Sequence, residues 1–269
     1  MKRIAAKFED LKKKQKKALI TYITAGDPDL ATTAELVLTL EKAGADIVEL
    51  GIPFSDPLAD GPVIQRAAQR SLQAGTTLRK VFELVEKLRK RTQIPLVFLI
   101  YYNQVLQFGL NEFVARCDQV GIDGVIIPDL PLEERTELLE IIKGGNYLVD
   151  LIPLVAPTSD QRVASIVNNA TGFVYCVSST GVTGQRDSFS AELQDFVAKV
   201  KEATDIPAAI GFGISSVASV KQLKDYADGL IIGSAIIKEM EETLNDNNQS
   251  QLQKQVHQFV SSLRQALDS

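Results

Sequence analysis

Glu49, Asp56 and Asp60 fall together in the segment Glu49-Leu-Gly-Ile-Pro-Phe-Ser-Asp-Pro-Leu-Ala-Asp-Gly-Pro62. Carboxyl groups gathered this closely are the usual means of general acid–base chemistry, provided that the fold gives them different surroundings. Asp46 to Leu50 reads as a short strand, in which Ile47, Glu49 and Gly51 share one face and Val48 and Leu50 the other. Glu49 is thereby committed to a largely apolar face, where desolvation raises a carboxyl pKa toward the range useful for proton transfer. Pro53, Pro57, Pro62 and Gly61 stiffen the following turn, so Asp56 and Asp60 sit on a shaped loop. A plain structural reading makes Glu49 a strand cap and the aspartates turn formers. It is disfavoured because the acids accumulate where an α/β enzyme keeps its chemistry.

Two further turns are suited to an anion. Ile210-Gly-Phe-Gly-Ile-Ser-Ser216 ends one apolar strand and opens a helix, and Ile232-Gly-Ser-Ala-Ile236 does the same for the next. Glycines 211, 213 and 233 permit close backbone approach, and free amides at a helix start attract phosphate without a lysine. Either turn alone could be simple capping; the pair, placed after the last two strands, favours a phosphate site. The stretch from Ser178 to Ser188 is rich in glycine and hydroxyl residues and reads as a mobile lid over the same rim. Just before it, Tyr175 shares a strand face with Phe173 and Val177. Its phenol either reaches the pocket or bonds to a backbone group inside the core.

These residues need a frame. Apolar, β-branched runs occur near Leu19–Thr24, Ile47–Leu50, Leu96–Tyr101, Gly124–Ile127, Leu148–Leu154, Gly172–Val177, Ala208–Gly211 and Gly229–Ile232. Between them, stretches such as Leu30–Ala43, Leu78–Lys90, Asn111–Val120, Leu132–Lys143 and Ala191–Ala203 carry apolar residues at helical spacing. Eight such βα units predict a single (β/α)8 TIM barrel spanning residues 1–269, with extra helices such as the polar C-terminal stretch Gln249–Leu267. An open doubly wound sheet fits the same alternation. The barrel is preferred because several strands end in similar Gly- or Pro-rich turns that would line one rim.

Composition narrows the function. A net charge of −5 argues against nucleic acid as the main partner, which requires a concentrated basic face. The run Lys12-Lys13-Lys14 with Lys16 and Lys17 reads as a solvated helix face. Two cysteines, Cys117 and Cys176, are too few for a disulfide framework, and no stretch resembles a signal peptide or a membrane span. A reducing, cytoplasmic setting is expected. The lone histidine, His257, lies in the polar C-terminal stretch, and no CxxC, HExxH, Walker or GxGxxG motif supports a metal or nucleotide site. Carboxylates, hydroxyls and backbone amides must carry the chemistry.

At these residues the chain closely resembles the tryptophan synthase α subunit family. The similarity runs through Thr24-Ala-Gly-Asp-Pro28, Glu49 to Gln65, Tyr101-Tyr-Asn103, Pro128 to Glu134, the Ser179-Thr-Gly-Val-Thr-Gly184 loop, Gly211-Phe-Gly-Ile-Ser215 and Gly233-Ser-Ala-Ile236. The resemblance implies a barrel lyase that splits indole-3-glycerol phosphate into indole and glyceraldehyde 3-phosphate. It also implies a separate β subunit, in an α2β2 heterotetramer, that carries the pyridoxal phosphate and consumes the indole, leaving no cofactor in this chain. By the same similarity Glu49 is the main acid/base, Asp60 the partner of the indole nitrogen, and Tyr175 stands close by. Tyr22, Ile100, Tyr102, Thr183, Gly184, Phe212, Gly213, Gly233 and Ser234 would contact substrate or its phosphate, and Asp56 would face the β subunit. Tyr22 departs from the phenylalanine common in the family, and its added hydroxyl must find a partner. Three alternatives stand beside this reading: a stand-alone lyase that releases indole, which the same catalytic residues would serve; a regulatory subunit with feeble catalysis, against which both acids argue; and another phosphosugar barrel isomerase, which the long acidic loop does not support.

Overall fold

Proline 153 decides how the sheet closes. The computed structural model describes residues 2–177, 191–211, 213–244 and 248–269. Among these, the strands are β1 (Ala18–Thr24), β2 (Ile47–Gly51), β3 (Leu96–Leu99), β4 (Gly124–Ile126), β5 (Asp150–Leu151), β6 (Leu154–Val155), β7 (Val174–Val177), β8 (Ala208–Gly211) and β9 (Gly229–Ile232). All pairings are parallel, in the order β5-β4-β3-β2-β1-β9-β8-β7-β6. The two ends of that order, β5 and β6, are consecutive in the chain and separated only by Ile152 and Pro153. The Ile152 N–H donates to the Val125 carbonyl at 2.9 Å, and the Pro153 carbonyl accepts from the Tyr175 N–H at 2.9 Å. The sheet therefore curls into a ring in which β5 and β6 share one of eight positions. The single strand expected over Leu148–Leu154 is split because proline has no N–H to give to the ladder.

Alternation within each strand builds two cores. Ile20, Ile47, Val97, Ile126, Phe173, Ala209 and Ile231 point into the ring, where they meet Ile4, Phe8 and Leu11 of the helix Arg3–Lys13. That helix stoppers the end at which the strands begin. Leu19, Val48, Leu50, Phe98, Val174 and Leu230 point outward against the helices. Burial on both faces explains why the strands read as continuous apolar runs rather than as alternating ones.

The helices follow local signals. Asp29 caps Leu30–Lys42 by accepting from the Thr32 N–H at 2.7 Å, and Pro62 occupies the first turn of Pro62–Gln73, where its missing donor costs nothing. The helix Gln249–Asp268 buries Leu252, Val256, Val260 and Leu263 while His257 stays exposed. Arg264 of this helix reaches Asp46 at 3.0 Å, and the same carboxylate accepts from the Leu19 N–H. Asp46 is thus a structural acid at the stoppered end. Lys12, Lys13 and Lys14 lie exposed where Arg3–Lys13 ends, and Cys117 and Cys176 are buried free thiols. No described helix is long and apolar enough to cross a membrane.

Candidate active site

Glu49 is the third residue of β2 and points into the ring near its open end. Its side chain is wholly buried, and neither carboxyl oxygen has a hydrogen-bond partner among the described residues. Burial alone pushes its pKa up to about 8, because an ionised carboxylate there would have neither water nor a donor. At neutral pH Glu49 is a protonated acid. Asp60 lies at the end of the proline-rich turn and lines the same cleft. Desolvation lifts it to about 6, against the pull of a hydrogen bond to the Tyr101 phenol. Both acids are therefore shifted in one direction, by different amounts, so that near pH 7 one holds a proton and the other a charge.

The cleft is completed by Tyr22, Ile64, Leu99, Tyr175, Gly213, Ile214, Ile231, Gly233 and Ser234. Two glycines make space for its two buried tyrosines. A Cβ on Gly51 would lie 2.1 Å from the Tyr22 hydroxyl, and one on Gly211 would lie 2.4 Å from that of Tyr175. Each phenol thus lies across the neighbouring strand where only glycine leaves room. The hydroxyl of Tyr22 finds its partner in Thr24 Oγ1 at 3.3 Å. Burial raises the pKa of both phenols well above the ordinary tyrosine value, so they stay neutral. Gly213 adopts φ of +79°, and Ser234 is the first residue of the helix Ser234–Leu244. Its amides open toward the same cleft that holds the acids, an arrangement suited to a phosphate.

Of the residues expected from the sequence, the structure brings Tyr22, Glu49, Asp60, Tyr175, Gly213, Gly233 and Ser234 to one cleft. It does not bring Ile100 or Tyr102 there. Side chains of β3 and its extension alternate from Val97, which points inward, so Leu99 faces the cleft and Ile100 packs into the outer core. Tyr102 opens the helix Tyr102–Phe108 and has Glu134 and Glu137 nearby, whereas Tyr101 reaches the acid turn. Leu99 and Tyr101 are the missed residues, and counting by two from Val97 would have found both. Asp56 is exposed on the turn beside Leu58, which is 92% exposed. Thr183, Gly184 and the lid expected over Ser178–Ser188 lie outside the described residues, as does Phe212.

A buried ionic clasp supports the rim. Arg70 of Pro62–Gln73 binds Asp27 through two hydrogen bonds of 2.7 and 2.8 Å, and its third donor reaches Glu241 of Ser234–Leu244 at 2.8 Å. The turn after β1, the helix after the acid turn and the helix that starts at Ser234 are thus tied together. A larger groove, about 970 Å³, lies at the stoppered end of the ring beside Phe8, Leu11, Ile206 and Pro207. It contains neither Glu49 nor Asp60.

The model of one family, described as tryptophan synthase alpha chain, matches residues 8–268. The tryptophan synthase alpha chain of Alkaliphilus metalliredigens is 57% identical over 97% of this chain and 96% of its own length. That of Thermoanaerobacter sp. is 51% identical over 99% and 100%. Among solved structures, tryptophan synthase subunit alpha from Legionella pneumophila superposes with a TM-score of 0.91 at 35% identity, covering 100% of this chain and 99% of that one. A chain of Mycobacterium tuberculosis tryptophan synthase gives 0.86 at 33% identity, covering 97% and 98%.

Proposed function

This chain belongs to the tryptophan synthase alpha chain family, whose members cleave indole-3-glycerol phosphate to indole and glyceraldehyde 3-phosphate, and we propose that Glu49 and Asp60 carry that reaction here. The observation that supports this most is the buried, unpaired Glu49 carboxyl beside a second acid that remains ionised at neutral pH.

Cleavage requires a proton on indole C3, which turns the ring into an electron-poor iminium. Protonated Glu49 supplies that proton. The resulting carboxylate takes the proton of the side-chain hydroxyl as the carbon–carbon bond breaks. The bonding pair returns to the ring, the hydroxyl oxygen becomes the aldehyde carbonyl, and Glu49 ends protonated as it began. Asp60 accepts the ring N–H and stabilises the positive charge that grows there. Tyr22, Ile64, Leu99, Ile214, Ile231 and Tyr175 furnish the mostly apolar wall that suits an indole ring. The phosphate lies on the amides around Gly213, Gly233 and Ser234.

The chain pairs with the β subunit of tryptophan synthase in a heterotetramer. The family's pyridoxal phosphate belongs to that subunit, and none of these proton transfers calls for a cofactor in this chain. Asp56 and Leu58, exposed at the tip of the acid turn, are suited to face the partner. A cytoplasmic location fits the phosphorylated substrate and the two free thiols. The direct test is turnover of indole-3-glycerol phosphate by the purified chain, alone and with the β subunit. Absence of indole under both conditions overturns the assignment.

The phosphate site has a test of its own. Ser234→Asp sets a negative charge beside the phosphate dianion and weakens ground state and transition state alike. KM should rise by about tenfold or more, as about 1.4 kcal/mol or more of charge repulsion dictates, with a smaller change in kcat. An unchanged KM in steady-state assays would locate the phosphate elsewhere.

A further inference from the structure

We infer that Tyr101 and Gln104 are positioning residues that hold Asp60 at the rim by gripping the acid-bearing turn at its two ends. The inference rests on the role proposed for Asp60 in cleavage. At the start of the turn, Gln104 Nε2 donates to the Pro53 carbonyl at 3.0 Å. At its end, the Tyr101 hydroxyl accepts from the Ala59 N–H at 3.0 Å, which sets the phenol beside Asp60, whose ionised form it favours. Between these points the ring of Phe54 stacks on that of Tyr101, with centroids 5.2 Å apart and planes inclined by 29°. Tyr101 is itself buried, so its grip is rigid, whereas Ser55, Asp56, Leu58 and Ala59 are exposed and contribute little packing.

Gln104 carries a second indication. Its Oε1 is buried and has no hydrogen-bond partner among the described residues. An amide present only to satisfy the interior would be expected to use both ends, because an unpaired buried acceptor is destabilising. Here one end is left unmatched while the other is spent on the backbone of the acid turn. Misplacement of a reacting group by about 1 Å can lower turnover about 10²-fold, so a turn fastened at both ends has direct catalytic value.

The groups facing Asp60 are the phenols of Tyr22 on β1, Tyr175 on β7 and Tyr101 after β3, with Glu49 on β2 as the neighbouring acid. The phenols are shifted upward, so Asp60 and Glu49 alone among these titrate between pH 5 and 9. Cleavage that needs ionised Asp60 and protonated Glu49 has an acid limb near pH 6 and an alkaline limb near pH 8. The Tyr101 phenol favours the ionised form of Asp60. Its loss moves the acid limb upward and leaves the alkaline limb in place.

The experiment measures kcat and KM against pH for Tyr101→Phe, Gln104→Met and Asp60→Asn, each assembled with the β subunit. Tyr101→Phe should shift the acid limb up by about half a pH unit or more. Gln104→Met should lower kcat about three- to tenfold with KM within about twofold, the pattern of lost alignment. An unshifted acid limb in Tyr101→Phe, or an unchanged kcat in Gln104→Met, overturns the inference. Binding of glycerol 3-phosphate checks that each variant is folded, and if Gln104→Met fails that check the Tyr101→Phe profile decides. Wild-type turnover by Asp60→Asn would instead remove the proposed role of Asp60 itself, a result distinct from failure of the clamp.

Discussion

Glu49→Gln should lower the rate of indole-3-glycerol phosphate cleavage by about 10²–10⁴, the range expected when a positioned acid–base group is lost. The substitution keeps the shape and hydrogen-bonding size of the side chain and removes only its titrating proton. Phosphate-ligand binding at Gly233 and Ser234 should stay within a few fold. The same variant carries a stability signature. Wild-type Glu49 has its folded pKa raised from 4.5 to about 8, so its contribution to stability is fully present below 4.5 and is lost as pH rises toward and through 8. Over that interval the unfolded chain ionises Glu49 and the folded chain resists doing so. A glutamine side chain has no such slope, so the variant should gain on wild type from pH 4.5 to about 8 and hold a constant advantage above. Denaturant unfolding at several pH values, together with single-turnover assays, reads both effects. Retention of more than about a tenth of wild-type turnover would pass the proton work to another group.

Glu49 was legible in the sequence because its evidence is local. Two residues after an inward Ile47 on an apolar strand, a carboxyl has nowhere to go but the interior. The (β/α)8 arrangement was legible for a similar reason, since repeated βα units leave few parallel topologies. The expectation for Ile100 and Tyr102, carried over by resemblance, is displaced by one residue, and along β3 such a shift exchanges the cleft wall for the outer core. Leu99 lines the cleft, and Tyr101 reaches the acid turn at Ala59. The degree to which each acid is shifted was not legible, because it depends on what closes around it. Asp60 is desolvated like Glu49, and its smaller shift owes something to a phenol that follows β3. The break at Pro153 is absent from the strand expected over Leu148–Leu154, although proline has no N–H for the ladder, and nothing local announced that Ile152 and Pro153 would still find backbone partners across the ring.

Arg70→Met should destabilise the fold by ~3 kcal/mol, the lower end of the range for removing one partner of a buried ion pair. The Asp27 side chain has no exposed surface, while that of Arg70 is 27% exposed, so water can reach only one side of the pair. Methionine preserves much of the side-chain volume but abandons the Asp27 carboxylate with no counter-charge and removes its two guanidinium hydrogen bonds. Burial already pushes the Asp27 pKa above its ordinary value even with Arg70 in place. Without the guanidinium the folded pKa rises further, so protonation relieves the buried charge. A carboxyl with a raised folded pKa contributes most below its unfolded pKa and loses that contribution as pH rises through the folded one. The deficit of Arg70→Met should therefore be largest at neutral and alkaline pH and shrink on acidification. Thermal unfolding at pH 7.5 should show a Tm lower by roughly 5–10 °C, as a chain of this size converts ~3 kcal/mol. Because Arg70 also joins the acid-turn helix to Ser234–Leu244, folded Arg70→Met should bind glycerol 3-phosphate more weakly than wild type. An unchanged Tm at both ends of the pH range would mean that the clasp contributes no net stability and that packing alone aligns the three rim elements.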